Sequence, residues 1–282
     1  MIIDERRATV RETICFEGIG LHTGEHCRVA VHPVSVGNTP CALTIRKGAS
    51  VFPARWDYVV DTARATVLGN GVTRVSTVEH LMAALWMTGI THAEIELLQG
   101  NEIPILDGSA LPFVEALEAS IAALPPHPVS ERLRHGQSGI SVQLCQDHRF
   151  LGLACGGNTL FGYIDFPAPL GVQAGVFPLH AAVEQIAPAR TFGFLHEVEA
   201  LRQRGLAQGG TLENALVIGE TGYHNPARFE DEPLRHKLLD VLGDLYLCGA
   251  RLSGFTLVAI KPGHAINTQL ARQVAQALLA ED

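Results

Sequence analysis

The stretch FEDEPLRHKLLDVLGDLYL, residues 229–247, combines a helical pattern of leucines with a row of ionisable side chains. The leucines predict a helix with a face in the core, and Pro233 suits its first turn, where a missing N–H leaves no bond unmade. His236, Asp240 and Asp244 recur at intervals of four residues, which places them along one side of that helix. A histidine and an aspartate at this spacing can bind one metal ion, and the alternative is a solvated acidic face with a surface His–Asp pair. The crowding leucines favour metal binding, because they leave little of the helix free for water.

Outward from this helix, the chain shows the same kind of α+β pattern twice. The first half contains strand-like runs, a helix, a strand and a second helix, in the order TICFEGIGLH (13–22), HCRVAVHPV (26–34), CALTIRK (41–47), STVEHLMAALWMTG (76–89), HAEIELL (92–98) and LPFVEALEASIAAL (111–124). The prolines and polar residues of 125–139 predict a linker, after which strands followed by helices return. We therefore expect an α+β fold of two domains, residues 1–126 and 127–282, that meet across a crevice. The halves share no visible sequence identity, so an internal duplication is a hypothesis about topology.

Composition limits the kinds of partner. The 282 residues suit about two domains, and 47% hydrophobic with 18% charged residues is the balance of a soluble globular protein. A net charge of −8 and a pI near 5.9 argue against nucleic acid or an anionic membrane as the main partner. The sequence has no apolar run of about 18 residues, and its start, MIIDERRATVRE, is too charged for a signal peptide. We expect a cytoplasmic monomer with reduced cysteines and no transmembrane segment, which acts on a small molecule.

A second candidate site segment is VSTVEHLMAAL, residues 75–85. Ser76 and Glu79 have the spacing of a capping box, so Glu79 could simply close the start of a helix, and His80 could be a packed core histidine. Together with His236 and Asp240, however, His80 would complete two imidazoles and one carboxylate with a fourth position open. This pattern is typical of catalytic zinc, and its donors suit zinc or ferrous iron more than calcium.

A hydrolytic metal site also needs groups that move protons. Glu79, next to a candidate ligand, is the natural general base, and His264 in the glycine-flanked turn KPGHAIN (261–267) could be the general acid. Asp244 could keep that imidazole protonated by pairing with it. His264 could equally be a helix-entry residue with no catalytic part.

Six segments resemble one known family. They are GIGLHTG (18–24), STVEHLMAAL (76–85), EIPILDGSALPFV (102–114), ARTFGF (189–194), FEDEPLRHKLLDVLGDL (229–245) and GHAIN (263–267). In this order they are similar to the signature blocks of UDP-3-O-acyl-N-acetylglucosamine deacetylase, the zinc amidase that commits the precursor of lipid A. The resemblance covers nearly the whole chain and implies two β-α-α-β sandwich domains packed together, with the active site between them.

Carried over by position, the resemblance implies a role for each site residue. It implies zinc ligands at His80, His236 and Asp240, a general base at Glu79, a general acid at His264 supported by Asp244, and oxyanion contacts from Lys237 and Thr191. The segment 191–210 resembles an insert that forms a hydrophobic passage for the substrate's acyl chain, with Phe192 and Gly210 as wall positions. The alternative for this segment is an ordinary amphipathic helix from Leu195 to Leu206.

The sequence also departs from the family pattern. Thr91 and His92 stand where Asp-Asn is usual, and Ala168 stands where a histidine is common. The stretch 131–150 lacks the usual charged run, including a lysine associated with the substrate diphosphate. The resemblance implies an acylated sugar nucleotide as substrate, although the nucleotide end of the site is altered. A paralogous zinc amidase on another N-acyl substrate and a non-catalytic binding protein are the alternatives.

Overall fold

Alternating apolar residues build a five-stranded sheet in each half of the chain. The computed structural model describes residues 2–3, 6–35, 39, 41–125 and 141–280. In one strand of the first sheet Leu43 and Ile45 are buried, and in one strand of the second Phe255, Leu257 and Ala259 are buried, with more exposed residues between them. This period of two places one face of each sheet on the core.

The strands of the described residues lie close to the strand-like runs found in the sequence, and several short paired strands are added to them. They are β1 Ile2–Ile3, β2 Arg7–Val10, β3 Ile14–Ile19, β4 His26–His32, β5 Ala42–Lys47, β6 Ser50–Pro53, β7 Val59–Asp61, β8 Val67–Gly69, β9 Arg74–Val75, β10 His92–Gln99, β11 Ile121–Leu124, β12 Ser141–Gln146, β13 Arg149–Cys155, β14 Thr159–Asp165, β15 Val172–Pro178, β16 Phe192–Phe194, β17 Leu216–Ile218, β18 Leu252–Ser253 and β19 Phe255–Ile260.

The two large sheets have the same strand order and the same strand directions. Their orders are β3-β4-β10-β5-β6 and β12-β13-β19-β14-β15. In each sheet the last strand in sequence lies in the centre, antiparallel to one neighbour and parallel to the other. This shared topology supports the duplication hypothesis, although the two halves have no visible sequence identity.

The described residues form six helices, four of which pack together where the two halves meet. The six are α1 Glu79–Thr88, α2 Leu111–Glu118, α3 Ala182–Gln185, α4 Leu195–Gln203, α5 Glu232–Tyr246 and α6 His264–Leu279, with short 3-10 turns at Trp56–Tyr58 and Leu179–Ala181. Every residue of α1 from Glu79 to Trp86 is buried, and so is most of α5. A helix buried all round belongs inside a protein. The helix α1 packs on α5 and α2, and α5 packs on β14 and β15 of the second sheet.

The α+β prediction is confirmed, with one error in the helices. The helical run predicted over 111–124 ends as a helix at Glu118, and Ile121–Leu124 instead forms β11, antiparallel to Val10–Arg7 of β2. The free edge of β2 supplies backbone hydrogen bonds, which outweigh the helical propensity of the two alanines. The predicted linker, apart from Pro125, lies outside the described residues, so the domain boundary at 126/127 stays a prediction. None of the described helices is long and apolar enough to cross a membrane.

Candidate active site

His80, His236 and Asp240 converge on one point where α1 meets α5. Asp240 Oδ1 lies 3.4 Å from His236 Nε2 and 3.8 Å from His80 Nε2, and the three groups offer ligand atoms that all lie within 4.8 Å of one another. Tetrahedral zinc ligands bound at about 2.0–2.2 Å lie roughly 3.3–3.6 Å apart, so the observed spacing suits such an ion. Asp240 Oδ1 is also buried without a hydrogen-bond partner among the described residues, as expected where a cation belongs. These residues can therefore hold a metal ion.

A close helix crossing brings these candidate ligands together. A Cβ atom added to Gly243 of α5 would lie 2.0 Å from the backbone oxygen of Glu79 in α1. Glycine permits this approach because it has no side chain. His80 follows Glu79 directly, and Asp240 lies three residues before Gly243 on α5. The glycine therefore sets the separation between the candidate ligands of the two helices.

The surroundings keep both histidines neutral and the aspartate ionised. His236 Nδ1 lies 3.1 Å from the carbonyl oxygen of Ala189, to which it donates, so Nε2 keeps a lone pair on the side of Asp240. Burial lowers the pKa of His236, and it lowers the pKa of His80 to about 3. Burial opposes ionisation of Asp240, but the nearby Lys237 side chain outweighs it and lowers the pKa of that carboxyl. This is the protonation state in which such side chains bind metals.

Glu79 opens α1 but does not form the capping box with Ser76 that the spacing allowed. The helix start has no side-chain hydrogen bond at its N-cap, and Thr77 has a φ of 58°, so the chain turns sharply before the helix. Glu79 Oε2 instead accepts a hydrogen bond from the backbone N–H of Thr66 at 3.0 Å, and its Oε1 lies 3.8 Å from His264 Nε2. Burial raises the pKa of Glu79 to about 8. The ionised form of such a carboxyl is a stronger base than an ordinary glutamate, so it can take a proton from water.

His264 is the first residue of α6, and its ring also reaches the site. Its Nδ1 donates to Asp244 Oδ2 at 3.0 Å, and Asp244 accepts further hydrogen bonds from Asn267 Nδ2 at 2.9 Å and from the Thr66 hydroxyl. Burial disfavours the imidazolium, but Asp244 and Glu79 outweigh it and raise the pKa of His264 to about 9. The imidazolium is therefore the main form at neutral pH and can donate a proton.

One cavity of about 400 Å³ joins these groups to the other predicted residues. Thr191 and Lys237 both line it, and Lys237 Nζ donates to Asp240 Oδ2 at 2.7 Å. Phe192 lines this cavity and an adjoining one of about 130 Å³, whereas Gly210 lines the smaller one alone. The predicted residues thus meet at two adjoining cavities, except Asp244, which contacts the site through His264.

The smaller cavity has largely apolar walls formed by the segment around α4. The predicted helix Leu195 to Leu206 ends early, at Gln203, because Gly205 takes a φ of 73° that stops it. Val198 and Leu201 of this helix nevertheless line the smaller cavity. The amphipathic-helix and passage interpretations of this segment are therefore compatible.

Several residues of the site were not singled out from the sequence. His22, Arg64, Arg149 and Phe166 also line the larger cavity. Both ring nitrogens of His22 are buried without a hydrogen-bond partner among the described residues. His22 lies in the quoted segment GIGLHTG, which was a usable signal, whereas the other three stand in no segment that spacing distinguishes.

A buried carboxyl with a raised pKa, an imidazolium and a candidate metal-binding group on one cavity are the parts of a hydrolase. That is the class of protein which this fold and site define. The chain belongs to the UDP-3-O-acyl N-acetylglycosamine deacetylase family, whose profile matches residues 7–276. The members of this family are deacetylase enzymes, so the family resemblance and the prediction of a hydrolase are confirmed.

Similar proteins from three bacteria carry the name UDP-3-O-acyl-N-acetylglucosamine deacetylase. The protein of Aquifex aeolicus (strain VF5) is 36% identical over 276 residues, which covers 95% of this chain and 92% of that protein. The protein of Trichormus variabilis is 37% identical over 95% of this chain and 98% of its own length. The protein of Syntrophotalea carbinolica is 39% identical over 95% of this chain and 87% of its own length. The similarity therefore spans both halves of the chain.

Proposed function

We propose that this chain hydrolyses the 2-acetamido group of a UDP-3-O-acyl-N-acetylglucosamine and releases acetate, a step of lipid A biosynthesis. The observation that supports this most is the convergence of His80, His236 and Asp240 beside Glu79 and His264 on one cavity. The names of the similar proteins supply the substrate. The apolar cavity that adjoins the site fits a substrate with an acyl chain.

His80, His236 and Asp240 would hold zinc, and ferrous iron also suits these donors. A zinc ion bound there supplies a Lewis acid for the acetamide carbonyl and for the attacking water. The uncompensated buried oxygen of Asp240 and the neutral imidazoles support this ligand set. Three protein ligands leave a further position open, as in catalytic rather than structural zinc sites.

The side chains around that position would move the two protons of the reaction. Glu79 takes a proton from water as the water oxygen forms a bond to the acetamide carbon. The Lys237 ammonium and the Thr191 hydroxyl stabilise the negative oxygen that develops. As the carbon–nitrogen bond breaks, His264 gives its proton to the departing amine, and Asp244 stabilises the imidazolium until then. The products are acetate and a free amino sugar.

The two alternatives are opposed by different features. A non-catalytic binding protein has no need for a buried carboxyl and an imidazole that both have raised pKa values and whose atoms lie 3.8 Å apart on one cavity. A paralogous amidase on another N-acyl substrate is opposed by the adjoining apolar cavity and by the 36% identity with a deacetylase, which extends over 95% of this chain. The cytoplasmic location and the monomeric state expected from the sequence stay predictions.

An acetate-release assay with the zinc-loaded full chain tests the proposal. We expect release from the UDP-3-O-acyl substrate to exceed release from simple acetamido sugars at equal concentration by orders of magnitude. Glu79→Gln should lower kcat by about 10²–10⁴ while the protein retains its metal, because the ligands are unchanged. Equal rates on simple acetamides would support the paralogous amidase, and zinc-loaded wild type without release from either compound would support a binding protein.

A further inference from the structure

Two carboxylates of the site are bound by the same threonine, which takes no part in the proton transfers proposed above. Thr66 lies directly before β8 and is fully buried. Its backbone N–H donates to Glu79 Oε2 at 3.0 Å, and its hydroxyl donates to Asp244 Oδ1. Glu79 begins α1, and Asp244 lies on α5. One residue outside both helices therefore joins the proposed base to the carboxylate that supports the proposed acid.

Thr66 binds one oxygen of each carboxylate, and the other oxygen faces the acid. Glu79 Oε1 lies 3.8 Å from His264 Nε2. Asp244 Oδ2 accepts a hydrogen bond from His264 Nδ1 at 3.0 Å and another from Asn267 Nδ2 at 2.9 Å. Both of these donors bind Oδ2, so among the described residues the Thr66 hydroxyl is the donor that holds Oδ1. It therefore sets the rotation of the Asp244 carboxylate about its Cβ–Cγ bond.

The surrounding backbone fixes the position of this hydroxyl. The carbonyl oxygen of Thr66 accepts a hydrogen bond at 3.3 Å from the N–H of Val78, the residue before α1. Two residues after Thr66, Leu68 pairs with Val75 in the antiparallel strands β8 and β9. The threonine side chain is branched at Cβ, which restricts its rotation. The hydroxyl is thus held by the fold, and the Asp244 carboxylate is oriented by it.

A neutral donor suits this position better than a cation would. Glu79, Asp240 and Asp244 are buried acidic side chains that all lie within 4.0 Å of the His264 ring nitrogens. A lysine or arginine among them would stabilise their charges, but it would also repel the His264 imidazolium and compete with it for Asp244. The Thr66 hydroxyl stabilises that carboxylate by a hydrogen bond and adds no charge. Asp244 therefore keeps its full negative charge for the acid.

We propose that Thr66 is a positioning residue for proton donation, an inference that rests on the proposed function. Its hydroxyl holds the Asp244 carboxylate in the orientation that directs Oδ2 to His264 Nδ1. The ring is thereby fixed with Nε2 toward the departing amine, to which it gives its proton as the carbon–nitrogen bond breaks. Thr66 does not line the cavity, so it acts through Asp244 and not on the substrate.

Steady-state acetate release by the zinc-loaded full chain tests this inference. Thr66→Val keeps the shape and the backbone N–H and loses the hydroxyl, so kcat should fall by about tenfold to a hundredfold. KM should stay within about twofold and the zinc content should be unchanged, because the cavity wall and the candidate ligands are intact. Thr66→Ser keeps the hydroxyl and should retain kcat within about threefold. Thr73→Val, the same substitution in the turn between β8 and β9, is the matched control and should leave both constants within about twofold.

A double-mutant cycle separates positioning from a general loss of structure. Asp244→Ala leaves no carboxylate to orient, so Thr66→Val added to that variant should change kcat by less than about twofold. A threonine with a purely structural role would lower kcat by the same factor in both backgrounds. The NMR resonance of the His264 Nδ1 proton gives a second readout that needs no activity. It should shift in Thr66→Val and stay in place in Thr66→Ser.

Three kinetic results would overturn the inference. They are Thr66→Val with the kcat of wild type, Thr66→Ser as slow as Thr66→Val, and an equal effect of Thr66→Val with and without the Asp244 carboxylate. If wild type releases acetate and Thr66→Val releases it at the same rate, the inference on Thr66 fails and the proposed function stands. If wild type releases no acetate, the proposed function fails and the His264 resonance decides on Thr66. An unchanged resonance in Thr66→Val would then overturn the inference as well.

Discussion

Replacement of Gly243 by alanine perturbs the crossing of α1 and α5 without removing any side chain from the site. The new Cβ would lie 2.0 Å from the backbone oxygen of Glu79, and real Cβ contacts essentially never fall below 3.0 Å. The two helices must therefore separate locally by about 1 Å, and we expect this overpacking to lower the free energy of unfolding by about 1–3 kcal/mol. In an unconstrained helix interior the same substitution would stabilise the protein by about 1 kcal/mol, so even the sign of the change is informative.

The same displacement should separate His80 on α1 from Asp240 on α5. A misplacement of about 1 Å can lower the rate by about 10²-fold, and zinc binding should weaken with it. Urea unfolding, acetate release and zinc content measured on one preparation check these expectations together. Gly219→Ala is the matched control, because its new Cβ would meet no atom closer than 3.5 Å. A Gly243→Ala variant as stable and as active as wild type would refute the reasoning.

Further predictions concern the acid, the passage and a buried ion pair. Asp244→Asn removes the carboxylate that contributes most to raising the pKa of His264. The alkaline limb of the pH–rate profile, expected near pH 9 in wild type, should therefore move to lower pH, and an unchanged limb would contradict this. Gly210→Leu should fill the cavity of about 130 Å³ and reduce acetate release from long-chain substrates by tenfold or more, with short-chain substrates spared; equal losses on both would contradict a passage. Arg190→Met leaves the carboxylate of Glu232, which Arg190 Nε contacts at 2.9 Å, buried without its partner, and urea unfolding should show a loss of about 3–5 kcal/mol; a loss below about 1 kcal/mol would show that the pair is dispensable.

The main elements and the shared face of His236 and Asp240 could be predicted because they follow from regular intervals in the sequence. The interval of four residues between His236 and Asp240 places both on one side of a helix, whatever the helix packs against. Glu79 and His80 are consecutive in the sequence, so they lie next to each other in any fold. For such residues the spacing along the chain alone predicts which side chains are neighbours.

Contacts between elements that are distant in sequence or that involve backbone groups could not be predicted in the same way. The capping box of Ser76 and Glu79 fails because the backbone N–H of Thr66, thirteen residues earlier, takes the carboxylate. The carbonyl of Ala189 that fixes His236 is a backbone group and leaves no trace in side-chain patterns. Gly243 looks like an unfavourable residue in a helix until its neighbour α1 is known. Sequence spacing predicts which side chains share a face, and only packing shows which faces meet.

The location of zinc in crystals of the full chain, determined from anomalous scattering at the zinc absorption edge, tests the central claim most directly. We predict one strong peak about 2.0–2.2 Å from His80 Nε2, His236 Nε2 and an oxygen of Asp240. A strong peak bound to other residues, or an absent peak in crystals of protein that still releases acetate at the full rate, would contradict the assignment.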